Sequence, residues 1–280
     1  MRRLLLGLSY LLFLAFVLGP LVWIFLTSIK SPVDVIASPP KLIFRPVWDN
    51  YKALFIGQKE SIGYALARPD FPAYFRNSLI VATGAVLLSA GLALPTAYGL
   101  ARFSMRQKEN LAFTFLSFRF APELVVILPL YVIYQRIGLY NTYVGLILVY
   151  QLVTLPFMIW ILRGYFQDVP RELEEAAMVD GCSWLGALWR VALPLIRPGL
   201  AATVVLGFIF AWNSFVFSLI LGERQTQTVT VGLLGFMSYE QVLWGQMAAA
   251  VVVTIGPELL LAFLVQRYIV RGLTFGALKS

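Results

Sequence analysis

Histidine is missing from the 280-residue chain, and cysteine occurs once, as Cys182. Without imidazole there is no His-ligated metal or haem site, no histidine general base and no Ser-His-Asp triad. A lone cysteine cannot close an intramolecular disulfide, so oxidative cross-linking carries none of the fold. Charge is scarce as well. Only 13% of the residues are Asp, Glu, Lys or Arg, about half the share of an ordinary soluble domain. In their place stand 60% hydrophobic residues and a mean hydropathy of +0.80. Disorder, a collagen-like rod and a disulfide scaffold are excluded, which leaves an integral membrane protein that is not an enzyme.

A helix that crosses the hydrocarbon core needs about 20 apolar residues, because no water there can satisfy an open backbone. Four stretches carry no charge: Leu4 to Ile29, Asn77 to Ala101, Ile137 to Leu162 and Pro198 to Gly222. Leu111 to Gln135 is interrupted by Arg119 and Glu123, and Gln241 to Gln266 only by Glu258. The expectation is an all-α membrane protein of six transmembrane helices. The first span follows Arg2 and Arg3 and is too long for a signal-peptide core, so it reads as a retained anchor.

Orientation follows from basic residues in the short loops. Arg102, Arg106 and Lys108 join spans two and three, and Arg267, Arg271 and Lys279 follow span six. With six spans these share a side with the N-terminus, which places both termini in the cytoplasm of a multi-pass inner-membrane protein. The loop from Lys30 to Arg76 pulls the other way, with seven of the 22 basic residues, but it is long and also holds Asp34, Asp49, Glu60 and Asp70. The net charge of +8 reads as membrane anchoring, since no basic face on a soluble module points to nucleic acid. Three regions are expected: 1–76 with the first span and outer loop, a core at 77–270, and a tail at 271–280.

Between spans four and five, residues 164–197 are far longer than a connector requires. Asp168 suits a helix N-cap, Pro170 a first turn, and Glu172, Glu174 and Glu175 the positive end of a helix. Leu173, Ala176, Ala177 and Asp180 fall on one face by helical spacing, and Gly181 can end the helix in a left-handed conformation. Ser183 can cap a second helix that Leu193-Pro194 stops. A small-residue face flanked by carboxylates suits a docking knob for a basic partner surface. The competing reading is an amphipathic hairpin on the lipid headgroups, against which its acidity argues.

Glu175-Ala176-Ala177, three residues, Gly181, nine residues and Val191-Ala192-Leu193-Pro194 resemble the EAA signature of ABC-importer permeases, with valine at the isoleucine position. Phe210-Ala211-Trp212-Asn213-Ser214 and the C-terminal run from Gln266 to Ser280 are similar to the smaller, six-span permeases of maltose-type carbohydrate importers. Asn77-Ser78 and Pro95 to Arg102 fit the same subgroup. The resemblance runs from about Asn77 to the end of the chain. It implies the type I importer permease fold, with 164–197 as the coupling loop seated on an ATPase.

Carried over by that resemblance, Glu174, Glu175, Ala176, Ala177, Asp180, Gly181, Leu193 and Pro194 form the ATPase-coupling segment. Leu273, Thr274 and Gly276 in the tail become a second ATPase contact. The outer loop from Glu223 to Trp244 takes the position that probes a binding protein. The implied assembly is this chain, a second paralogous permease, two ATP-binding subunits and an extracytoplasmic solute-binding protein in a lipid bilayer. ATP and magnesium belong to the partner ATPase, because no Gly-x-x-x-x-Gly-Lys-Ser/Thr loop occurs here.

Arg119, Glu123, Trp212, Asn213 and Glu258 are the candidate substrate pathway, because ionisable groups at membrane depth are functional by default. Arg119 and Glu123 are spaced to pair along one helix face, which would offset about 2.5–3.5 kcal/mol of insertion cost for either alone. Asn213 can bond a hydroxyl or a neighbouring helix, and Trp212 can stack on a sugar. Glu258 after Gly256-Pro257 marks a kink in span six. Two other functions compete: an ion-coupled secondary transporter or channel using Arg119, Glu123 and Glu258, and an ABC permease for a non-sugar solute such as glycerol phosphate. The first should show inverted repeats, and the sequence has none.

Overall fold

A computed structural model describes residues 2–56, 70–237 and 242–277. In chain order it contains α1 (Arg2–Ser28), α2 (Pro32–Val35), α3 (Asp49–Ile56), α4 (Phe71–Arg102), α5 (Lys108–Ser117), α6 (Glu123–Ile137) and α7 (Tyr143–Val149). Then come α8 (Gln151–Asp168), α9 (Arg171–Val179), α10 (Trp184–Ala187), α11 (Leu193–Trp212), α12 (Val216–Leu221), α13 (Val229–Gly232) and α14 (Trp244–Ala277). The fold is all-α; among the described residues the only β-pairing is an isolated bridge between Met237 and Val242.

Four helices are long and apolar enough to cross a membrane: Leu5–Ser28, Phe71–Arg102, Trp184–Trp212 and Trp244–Gln266. Two bent pairs, Lys108–Phe120 with Glu123–Ile137 at 87° and Tyr143–Val149 with Gln151–Asp168 at 44°, bring the number to six when each pair is counted as one span. The sharper bend has a local cause. Pro122 disfavours helix at the residue before it, and Ala121 is extended with ψ 128°. At the gentler bend, the Gln151 side chain donates to the carbonyls of Ile147 at 2.8 Å and Ala85 at 3.1 Å. A side chain inserted in the helical ladder is a recognised source of bending.

Two compact units form, Met1–Phe75 with Val231–Pro257 and Arg76–Thr230 with Glu258–Ser280. The first unit joins the N-terminal 1–75 to 231–257. Within it, Asn50 is buried and donates to the carbonyls of Ser28 and Lys30, both at 2.9 Å. Tyr51 shares a 2.7 Å hydrogen bond with Ser28, so α3 closes the end of α1. Lys30 is buried with its ammonium over the rings of Trp23 (4.7 Å) and Phe44 (5.1 Å), a cation–π arrangement.

In the second unit a buried core forms where α4, α8 and α11 converge. Ala93, Ala97, Leu100, Met158, Leu162, Phe166, Ala192 and Ile196 are among its buried members. Alanines along α4 let α8 approach closely. Polar ties fasten the same helices, with Ser89 meeting Gln151 at 2.6 Å and Thr154 at 2.5 Å. At Gly199 a Cβ would lie 2.5 Å from the Tyr165 ring, so α11 and α8 touch through glycine.

Gly199→Ala should therefore destabilise the fold by about 1–3 kcal/mol, the usual cost of overpacking. Gly164→Ala, where a Cβ meets nothing within 4 Å, should be neutral or slightly stabilising because it removes a helical glycine. Thermal unfolding of both variants in detergent checks the contrast.

Candidate functional site

Helix α9 is nine residues long and its amides begin without a side-chain cap. Asp168, expected as the N-cap, is instead the last residue of α8, and Pro170 occupies the cap position. The C-terminal end follows expectation. Gly181 has φ +93°, its amide donates to Met178 O at 3.0 Å, and the Cys182 amide donates to Ala177 O at 3.0 Å. This is a Schellman closure, which needs a residue at ease in the left-handed region. Ser183 then caps α10 by accepting from the Gly186 amide at 3.1 Å.

Pro194 does not end the second helix, contrary to expectation. A π-helical turn over Leu188–Ala192 leads directly into α11, and the wider turn lies immediately before Pro194, which has no amide to donate. Trp184 to Trp212 is therefore one continuous 29-residue span.

The roll of α9 is set by one carboxylate. Glu174 is only 1% exposed. Its Oε1 accepts from Arg102 Nε at 2.8 Å and Nη2 at 2.5 Å, and its Oε2 accepts from Tyr98 at 2.7 Å. Arg102 Nη2 also donates to Val169 O at 2.9 Å, and Arg171 donates to Ala101 O at 3.2 Å. The last turn of α4 is thereby tied to both the α8–α9 junction and α9. Glu174 was expected on the docking face with Glu175; it is turned inward because a buried guanidinium and phenol are waiting for it.

With Glu174 inside, Glu172, Glu175, Ala176, Val179 and Asp180 are exposed, and Ala177 is half-buried on the inner flank. Of the expected stripe, Leu173, Ala176 and Asp180 are exposed and Ala177 alone is turned partly inward. Val179 is 88% exposed, and Leu185 and Trp189 beyond the turn are also exposed. Leu193 packs on the buried core, so it supports this segment from within, and Pro194 is half-buried beside it. Nearby, Arg163 is buried and pairs with Glu109 of α5. The backbone of Leu273, Thr274 and Gly276 continues α14, while their side chains and residues 278–280 lie outside the described residues.

The pathway candidates separate into two groups. Arg119 and Glu123 straddle the 87° break, so the shared helix face that would pair them does not exist. Among the described residues the ion pairs do not include them. Arg119 instead lies 4.6 Å over the ring of Phe210, whose other contact is the edge of Phe157 at 4.9 Å. Asn213 and Glu258 are brought together. At the end of α11 the Asn213 amide donates to Ile209 O at 2.9 Å and to Glu258 Oε1 at 2.5 Å. Trp212 is 1% exposed and stacked on Phe208 at 5.4 Å, so its ring cannot receive a sugar.

Near the start of α4, Asn77 and Ser78 organise the segment after α12. Asn77 donates to Gln225 O and Gln227 O, both at 3.0 Å, and accepts from Tyr143 at 2.7 Å. Ser78 accepts from the Val229 amide at 2.7 Å. Asn141, in the left-handed region at φ 53°, accepts from the Glu223 amide and from Thr226. Of the outer loop, 238–241 lie outside the described residues. Tyr98, Arg102 and Asn141 were not expected as organisers. The only trace of the first two in sequence is an arginine closing an otherwise charge-free span.

The Asn213–Glu258 contact joins α11 to α14. A double-mutant cycle with Asn213→Ala and Glu258→Gln, read by unfolding in mixed micelles, should give a coupling of about 0.6–1.7 kcal/mol, the range of interhelical hydrogen bonds in membranes. Strict additivity would remove the contact as a stabilising link.

Known proteins carry the same architecture. The model of the binding-protein-dependent transport system inner membrane component matches residues 90–275. The diacetylchitobiose uptake system permease of Streptomyces coelicolor is 37% identical over 93% of this chain and 91% of its own length. The trehalose/maltose transport system permease of Thermococcus litoralis is 32% identical over 100% and 98%. Among solved structures, a chain of a bacterial ABC transporter involved in alginate import superposes with a TM-score of 0.75 at 22% identity, covering 95% of this chain and 96% of that one. That last likeness is one of fold. With the family model covering most of its length and curated permeases above 30% identity along nearly all of it, the chain belongs to the binding-protein-dependent transport system inner membrane components, the multi-pass permeases of ABC importers.

Proposed function

We propose that this chain is one half of the translocation pore of an ATP-driven importer for a sugar or related polyol, with α9 and α10 as the segment that docks on the ATPase. The observation that carries the reading is the outward face of α9. Glu175 and Asp180 are exposed carboxylates beside Ala176, whose small side chain permits close approach, and Val179 stands clear of the fold. Exposed apolar side chains rimmed by charge are what an interaction surface requires. Glu175 bonds a basic group on the ATPase, and Leu185 and Trp189 widen the apolar contact. The chain itself catalyses nothing; ATP and magnesium are held by the partner.

The sugar assignment rests on what the relatives are named for, diacetylchitobiose and trehalose/maltose among them. The full assembly comprises this chain, a second permease, two ATPase copies and an external solute-binding protein. Both termini and the α9–α10 segment lie on the cytoplasmic side, following the basic residues Arg102, Arg106 and Lys108. The Asn141–Glu223 and Asn77–Gln225 contacts then hold the opposite, external end of the second unit, where a loaded binding protein arrives.

A tagged chain, crosslinked mildly in native membranes and purified, should bring down an ATPase at two copies, a second permease and a solute-binding protein, counted by mass spectrometry. Recovery of the chain alone would defeat the reading. Glu175→Lys should lower ATPase recovery roughly tenfold, since losing a charge-assisted hydrogen bond costs about 1.5 kcal/mol. Gly181→Asp should do the same by straining the left-handed turn at φ +93°.

A further inference from the structure

We propose that Glu174, Arg102 and Tyr98 form the link that passes a displacement of α9 to the membrane span α4, making Glu174 a positioning residue of energy transmission and not of docking. The inference rests on the reading that an ATPase docks on the outer face of α9.

A nine-residue helix has too few turns to hold its own shape in water. A partner pushing on Ala176 and Val179 would tilt or unravel α9 unless something behind it resisted. Along the chain α9 is joined to α8 only through Val169-Pro170, and to α10 only through the Gly181 turn. Neither linker is a stiff rod. Behind α9 lie the π-helical turn Leu188–Ala192, against which it packs, and the end of α4, 72 residues away in sequence, which grips it through two donors on one carboxylate oxygen and a third on the other.

The grip is charged, buried and multiply bonded, so it has one arrangement and no neighbouring one to slip into. Burial leaves no water to replace a broken bond, and truncating either partner would strand a charge. The same arginine holds Val169 O, and Arg171 holds Ala101 O, so the start of α9 cannot rotate independently of α4. Trp184 of α10 packs edge-on to Phe103 at 5.3 Å, adding a contact just past α4. The helix so gripped, Phe71–Arg102, is 32 residues long and crosses the membrane. Movement at its last turn therefore reaches membrane depth along one continuous helix, past Pro95. Glu175, the next residue in sequence, remains exposed for the partner. Two adjacent glutamates divide the work: one faces out to receive the push, and the other faces in to hand it on.

The test uses the complex purified with its ATPase in lipid nanodiscs, with and without ATP plus orthovanadate, followed by hydrogen–deuterium exchange. In the wild type, nucleotide should change exchange in peptides from α9 and, in step, in those covering residues 93–102. Glu174→Gln should keep the α9 response and lose the α4 response. Tyr98→Phe, which leaves the ion pair in place, should diminish it, and this milder variant carries the test if Glu174→Gln does not fold. The exchanged pair, Arg102→Glu with Glu174→Arg, should recover it in part. A merely structural role would raise exchange in both nucleotide states alike and leave the difference between them. A wild-type α4 response that persists in Glu174→Gln would overturn the proposal, as would a wild type in which only α9 responds. A wild-type chain that captures no ATPase would instead overturn the docking reading beneath it.

Discussion

A carboxylate withdrawn from water must be met by a cation or by donors, or it stays neutral or stays outside. Glu174 is withdrawn almost completely, and Arg102 and Tyr98 meet it. Much of the geometry at this end of the molecule follows from that requirement. It sets the roll of α9, which decides that Glu172, Ala176 and Val179 look outward and that Ala177 and Met178 look in. It also brings the end of α4 to the junction of α8 and α9 through Val169 O. A buried ion pair of this kind adds little net stability, because desolvation offsets most of the attraction. What it gives is a single arrangement, since each partner is costly to leave alone.

The same constraint governs the middle of the bundle, where broken helices expose backbone groups that lipid cannot satisfy. At the α7–α8 bend the Gln151 amide takes the Ile147 carbonyl, and at the end of α11 the Asn213 side-chain amide adds a second donor to the Ile209 carbonyl, which already accepts from the Asn213 backbone N–H at 3.1 Å. Each of these amides also reaches another helix, Gln151 to α4 and Asn213 to Glu258 of α14. A break in one span thereby becomes a tie between two. Arg119, left without the carboxylate that sequence spacing offers it, rests on the face of Phe210. Local interruption and interhelical contact are one device here, and a permease that changes shape needs both: hinges along its spans and fixed contacts between them.

The all-α membrane fold, the apolar stretches long enough to span, the helical segment between the fourth and fifth of them and the left-handed turn at Gly181 were determined by the sequence alone. These depend on properties that reside in a stretch of chain: the absence of charge over a membrane's thickness, the length of a loop, and the conformational range of glycine. The partners of buried polar groups were decided only by the tertiary structure. Glu174 and Glu175 are chemically identical neighbours, and nothing local says which one turns inward; that depends on Arg102, 72 positions earlier. Trp212 and Asn213 likewise read as a pair of substrate-facing residues, yet Phe208 buries the indole while Glu258 engages the amide. The i, i+4 spacing of Arg119 and Glu123 promised a salt bridge only if the helix continued, and Pro122 with extended Ala121 ends it. Sequence periodicity reports what one helix would present if it were straight and alone. Which of those groups water, lipid or another helix receives is a property of the packed whole.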